Sequence, residues 1–147
     1  QRVVAAAVAE DVDGGEAHFL SERSWEECGV RCAEVGAALR RAGFERPSAT
    51  QALSGEALRG GGDAVIVAET GSGKTLAYVA PALDAAVERR QQGAGEAHTR
   101  PRRALVLVPN AALSAQTCAV VGHLRGDEGR PLARAADLCA RGGAHPS

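Results

Sequence analysis

The sequence contains no methionine, and lysine occurs once in 147 residues. Isoleucine and asparagine also occur once each, and aromatic residues make up 3%. Without a starting methionine, the chain is expected to be a piece of a longer protein. No apolar run approaches the roughly 20 residues of a membrane span, so no membrane partner is expected. The stretch "VVAAAV" near the start is too short for one, and no signal-peptide layout surrounds it. Net charge is −1, so no basic field advertises nucleic acid. Ala, Gly and Arg abound where Lys, Asn, Ile, Met, Phe and Tyr are scarce, as in a GC-rich coding sequence. The length still suits one domain with a real core.

Four cysteines are present: Cys28, Cys32, Cys118 and Cys139. Cys28 and Cys32 stand four apart, which would place them on one face of a helix. A metal site needs about four converging ligands. The histidines (His18, His98, His123, His145) are scattered, so free reduced thiols are expected.

Periodicity orders the chain. Residues 1–24 are weakly patterned and are expected to be a linker or disordered segment. Cys32, Val35, Leu39 and Ala42 form an apolar stripe, which predicts a helix from about Val30 to Ala42 that Gly43 ends. Ser48 with Gln51 reads as a capping box opening a helix to about Leu58. "RGGGD" is a turn. Ala64 to Ala68 is a short apolar run, as buried parallel strands are. Leu76, Val79, Leu83 and Val87 predict a helix from Lys74 or Thr75 to about Arg89, kinked at Pro81. "RQQGAGEAHTRP" reads as a polar surface loop. "ALVLV" (104–108) predicts a second strand, stopped by Pro109. A helix from about Ala112 to Leu124, the loop "RGDEGRP" and a weak strand near 132–139 complete the series. Alternating strands and helices predict an α/β fold with a parallel sheet, right-handed crossovers and flanking helices.

Lys74 now acquires a reason. Between the first strand and its helix lies Ala68-Glu69-Thr70-Gly71-Ser72-Gly73-Lys74-Thr75. This follows the phosphate-loop pattern G-x-x-x-x-G-K-S/T, with Ala68 replacing the first glycine. Gly71 and Gly73 let backbone N–H groups approach phosphate oxygens. The following helix aims its N-terminus at the same oxygens. A compact ammonium fits among them where a planar guanidinium fork does not. Lys74 is expected to hold the β- and γ-phosphates, and Thr75 to offer a hydroxyl to Mg²⁺ on the nucleotide.

The span "AETGSGKT" resembles motif I of the DEAD-box ATP-dependent RNA helicases. "GFERPSATQ" (Gly43 to Gln51) is similar to their Q motif, with Thr50 in place of isoleucine. "SWEECGV" resembles the stretch carrying their isolated aromatic, here Trp25. "VPNAALSAQ" lines up with motif Ia through Pro109, Leu113 and Gln116, but the usual Thr, Arg and Glu have become Asn110, Ala111 and Ala112. Gly142-Gly143 is similar to the family's glycine doublet. The resemblance covers about Ser24 to Gly143. It implies a P-loop NTPase (RecA-like) fold, incomplete here, over residues 25–147. It also implies ATP and Mg²⁺ as cofactors and RNA as partner.

Under the resemblance, Gln51 reads the adenine edge and Phe44 packs on the base. Read from the residues alone, Gln51 is a helix cap and Phe44 a core aromatic. Trp25 packs near the site or covers the core. Pro109 and Asn110 would lie along RNA phosphates, a grip that Ala111 weakens. "RPSATQ", the Pro-Asn pair and "GDEGRPL" resemble a plant-type chloroplast subgroup associated with ribosomal RNA. That makes the chloroplast the expected compartment, ahead of nucleus or cytoplasm. No apolar strand ends in Asp-Glu in these residues, and Asp127-Glu128 reads as a solvated loop. The chain is therefore expected to be the front of a first helicase domain, inactive alone. Rival readings are a non-catalytic RNA-binding scaffold that keeps the fold, and another P-loop ATPase.

Overall fold

A computed structural model describes residues 20–60, 63–92 and 103–139. Helix α1 spans Ala33–Arg41. Val35 and Leu39 from the expected stripe are fully buried, and Ala42 packs against the same core. The helix ends where Gly43, at φ 89°, turns the chain as only glycine does without strain.

Helix α2 spans Ala49–Arg59, with Ser48 as its N-cap. Both halves of the capping box form. The Ser48 hydroxyl accepts from the Gln51 N–H at 3.3 Å, and the Ser48 N–H donates to Gln51 Oε1 at 2.9 Å. Helix α3 spans Lys74–Gln92 and runs on through Pro81. Leu76, Val79, Leu83 and Val87 are all buried, as their spacing predicts. Together with Trp25, Val30, Val35, Leu39, Leu124 and Leu132 they form the core. Helix α4 spans Ala111–His123 and buries none of its own residues fully. Val120 and Val121 touch the core from its last turns.

Two expectations change. Cys28 and Cys32 do not share a helix, because the chain turns over 25–29 and α1 starts only at Ala33. The expected strands 64–68, 104–108 and 132–139 join no ladder among the described residues, where only the isolated bridges Leu20 to Ser48 and Arg125 to Pro131 occur. A strand exists by pairing its N–H and C=O groups with a neighbour, and these segments have none beside them there. Val65, Val67, Leu105 and Leu107 accordingly stand exposed. The last segment instead folds back over a turn at 126–130, where the Leu132 N–H donates to the Leu124 carbonyl.

Residues 20–24, inside the segment read as a linker, are tied to the body. The Ser21 N–H donates to the Pro47 carbonyl at 2.8 Å, and Arg23 pairs with Glu56 on α2. Arg90, Gln91 and Gln92, read as the start of the polar loop 90–101, extend α3 instead. The remainder of the linker segment, the rest of that loop and Gly142-Gly143 lie outside the described residues.

Candidate nucleotide-binding site

The loop from Ala68 to Gly73 joins the first apolar segment to α3. Gly71 and Gly73 sit at φ 88° and 82°, in the left-handed region where a side chain is strained. Around Gly71 a Cβ would meet nothing within 4 Å, so the loop is open on that side. The Ser72 hydroxyl is buried and has no hydrogen-bond partner. A buried orphan hydroxyl is costly unless something satisfies it. The first helical bond of α3 runs from the Ala77 N–H to the Gly73 carbonyl, so the preceding N–H groups point out of the helix end. An open turn, an orphan hydroxyl and a helix N-terminus together fit a phosphate group.

Lys74 lies in the first turn of α3 and reaches back over this loop. Its ammonium donates to the Ala68 carbonyl at 2.7 Å and to the Glu69 carbonyl. Three N–H bonds are available on an ammonium, so a third donor remains for an anion. Thr75 is half-buried beside it. The side chain of Glu69 and that of Thr70 are exposed at the loop rim.

The helix bearing the Q-motif residues is stitched to this loop at two points. The Ser48 hydroxyl donates to the Ser72 carbonyl at 2.9 Å. The Gln51 amide Nε2 donates to the Gly73 carbonyl at 3.1 Å. A Cβ on Gly73 would run into that same amide nitrogen. Gln51 therefore serves as helix cap and as tie to the loop at once. Its amide still holds one unused N–H on Nε2 and one further lone pair on Oε1. Phe44 is 36% exposed. Its carbonyl accepts the Trp25 indole N–H at 2.7 Å. Trp25 is itself 2% exposed and belongs to the core, so it both fills the interior and holds Phe44 in place.

Pro109 and Asn110 are exposed at the start of α4, and no described hydrogen bond joins them to the phosphate loop. Asn110 is the N-cap of α4, its side chain accepting from the Leu113 N–H at 2.9 Å. Residue spacing had not marked it as a cap. Asn in front of an Ala-rich helix was the available signal. Asp127 and Glu128 lie in the exposed turn and pair with Arg41 and Arg130.

Sequence reasoning also missed Asp84. It is 2% exposed in the middle of α3. It accepts from the Cys32 N–H at 2.8 Å and from Arg59 at 2.8 Å. No local pattern marks it, because both partners are distant in sequence.

A Gly-Ser-Gly loop that leads into a helix with a lysine in its first turn is the arrangement of the P-loop class of proteins. The DEAD/DEAH box helicase family model matches residues 48–136, and the chain belongs to that family. Its fold is therefore of the RecA-like P-loop kind. The chain is 37% identical over 132 residues to DEAD-box ATP-dependent RNA helicase 22 of Arabidopsis thaliana, covering 82% of this chain and 21% of that protein. It is 38% identical over 98 residues to DEAD-box ATP-dependent RNA helicase 50 of Oryza sativa subsp. japonica, covering 67% and 15%. It is 32% identical over 93 residues to the pre-mRNA-processing ATP-dependent RNA helicase prp11 of Schizosaccharomyces pombe, covering 63% and 9%. The chain thus spans about a fifth or less of the length of these relatives. No solved structure matches it significantly.

Proposed function

We propose that this chain forms the ATP-binding front of an ATP-dependent RNA helicase. The observation that carries the reading is the stitching of Ser48 and Gln51 onto Ser72 and Gly73. It would join a base-reading amide to a phosphate cradle through two hydrogen bonds. Lys74, the Ser72 hydroxyl and the loop N–H groups would hold the phosphates. Thr75 would hold Mg²⁺ on the nucleotide, and the metal would supply neutralising charge there. Gln51 would read adenine with its remaining N–H and lone pair, and Phe44 would pack on the base. Pro109 and Asn110 would face RNA.

The parallel sheet belongs to the same proposal. Along 63–68, exposed and half-buried residues alternate, the period of a strand. The apolar outer row, Val65 and Val67, matches a strand covered on both faces. Strands from the rest of such a protein would flank 64–68 and 104–108.

On the plant-type resemblance, the substrate would be ribosomal RNA and the compartment the chloroplast. A non-catalytic RNA-binding scaffold is the second reading. Ala111 and Ala112 at the motif Ia positions favour it, since neither can grip a phosphate. The test is nucleotide titration on the intact protein. Lys74→Ala should weaken ATP binding and abolish hydrolysis. Lys74→Arg should impair it, because the wider fork misfits the loop. Equal affinity of wild type and Lys74→Ala would refute the assignment.

A further inference from the structure

We propose that the partly buried ion pair between Arg59 and Asp84 is a positioning device that holds Ser48 and Gln51 in register against the phosphate loop. The proposal rests on the nucleotide-binding reading above and extends it to residues that touch neither nucleotide nor loop.

Helices α2 and α3 pack against each other, and two sets of side-chain hydrogen bonds tie them together. At one end, Ser48 and Gln51 bond Ser72 and Gly73. At the other, Arg59 in the last turn of α2 donates to Asp84 Oδ2 at 2.8 Å. Gln51 and Arg59 are about 12 Å apart along α2, and Lys74 and Asp84 about 15 Å apart along α3. The contacts therefore step along both helices in the same direction. Apolar packing is non-directional and leaves the rotation of a helix loosely set. Two attachments a dozen ångströms apart set its angle and its rotation.

The surroundings fit a directional role better than a stabilising one. The Asp84 side chain is 3% exposed and that of Arg59 21%. A buried pair of this kind adds little net stability over a well-packed apolar pair, because desolvation offsets the attraction. Arg59 Nε is moreover buried without a partner. What the pair supplies is geometry. Asp84 Oδ1 accepts the Cys32 N–H, so one carboxylate joins the entry to α1, the end of α2 and the middle of α3. The backbone makes room for it. A Cβ at Gly29 would meet Arg59 Nε at 2.7 Å, and one at Gly55 would strike the Cys28 carbonyl. Two glycines thus let α2 lie close against the 24–30 turn while Arg59 passes to Asp84.

The experiment measures ATP and GTP binding to the intact protein by competition. The variants are Arg59→Met, Asp84→Asn, Arg59→Lys and the core-truncation control Val87→Ala. Asp84→Asn keeps its shape and its acceptor for the Cys32 N–H, which protects folding. Arg59→Met and Asp84→Asn should lower the ATP-over-GTP ratio about tenfold, the effect of about one misplaced hydrogen bond. Arg59→Lys should retain most of the ratio. Val87→Ala should lower thermal stability and leave the ratio unchanged. An unchanged ratio in Asp84→Asn, or an equal fall in Val87→Ala, would overturn the positioning role while the nucleotide reading stands. A wild type that binds ATP no better than GTP would overturn the base-reading assignment, and this proposal with it.

Discussion

Replacing Gly73 by alanine tests the junction between the Q-motif helix and the phosphate loop. The residue sits at φ 82°, so any side chain pays left-handed strain of about 1–2 kcal/mol. The new methyl would also collide with Gln51 Nε2. Moving that amide breaks its bonds to the Gly73 carbonyl (3.1 Å) and the Ser48 N–H (2.9 Å). At about 1 kcal/mol each, the two bonds raise the total to about 3–4 kcal/mol. Gly71 provides the comparison. Its φ is 88°, but a Cβ there meets nothing within 4 Å. Gly71→Ala should therefore cost the strain alone, about 1–2 kcal/mol. The difference of about 2 kcal/mol is about thirtyfold in the folded-to-unfolded ratio. Urea unfolding of the nucleotide-free protein measures it. A double-mutant cycle locates the cause: in a Gln51→Ala background, Gly73→Ala should cost no more than Gly71→Ala. If the two glycine variants agree within about 0.5 kcal/mol in the wild-type background, Gln51 does not press on the loop as described.

Other outcomes follow from the same contacts. GTP should compete with ATP poorly, and Gln51→Ala should erase most of that preference; equal competition by GTP in wild type would leave Gln51 as a helix cap only. Thermal stability should stay level down to the ordinary glutamate value of 4.5 and fall below it. The Arg40 hydrogen bond holds Glu26 below that value, and the Arg23 hydrogen bond does the same for Glu56. Stability from groups depressed in this way is present above their unfolded value and is lost as they protonate. Arg23→Gln with Arg40→Gln should flatten the acid limb, and an unaltered limb would show that these pairs do not shape it. Iodoacetamide should label exposed Cys139 quickly in the folded protein and Cys28 only on unfolding. Cys28 is 2% exposed, and burial pushes its thiol up. Peptide mass analysis reads the order, and early labelling of Cys28 would contradict its burial.

The helices were legible because their signals are local. The Ser48–Gln51 box closes within one turn, and Leu76, Val79, Leu83 and Val87 repeat at the helical period on a single face. The phosphate loop was legible for a chemical reason: two glycines, one lysine and a threonine, in a chain otherwise without lysine, answer to phosphate geometry. The apolar segments 64–68 and 104–108 announce strands by composition, but pairing requires neighbours that no local pattern supplies. The roles of individual side chains were decided in three dimensions. Nothing near Gln51 in sequence shows that its amide bonds Gly73, 22 residues on. Asp84 lies beside Leu83 on α3, and its burial makes sense only with Arg59 and the Cys32 N–H brought to it. Trp25 could not be assigned from spacing, because its N–H finds the Phe44 carbonyl only once the chain folds across 19 residues. Capping and periodicity depend on bonds within a turn or two, so sequence alone determines them. Which buried polar group meets which depends on how whole helices pack, and only the tertiary structure decides that.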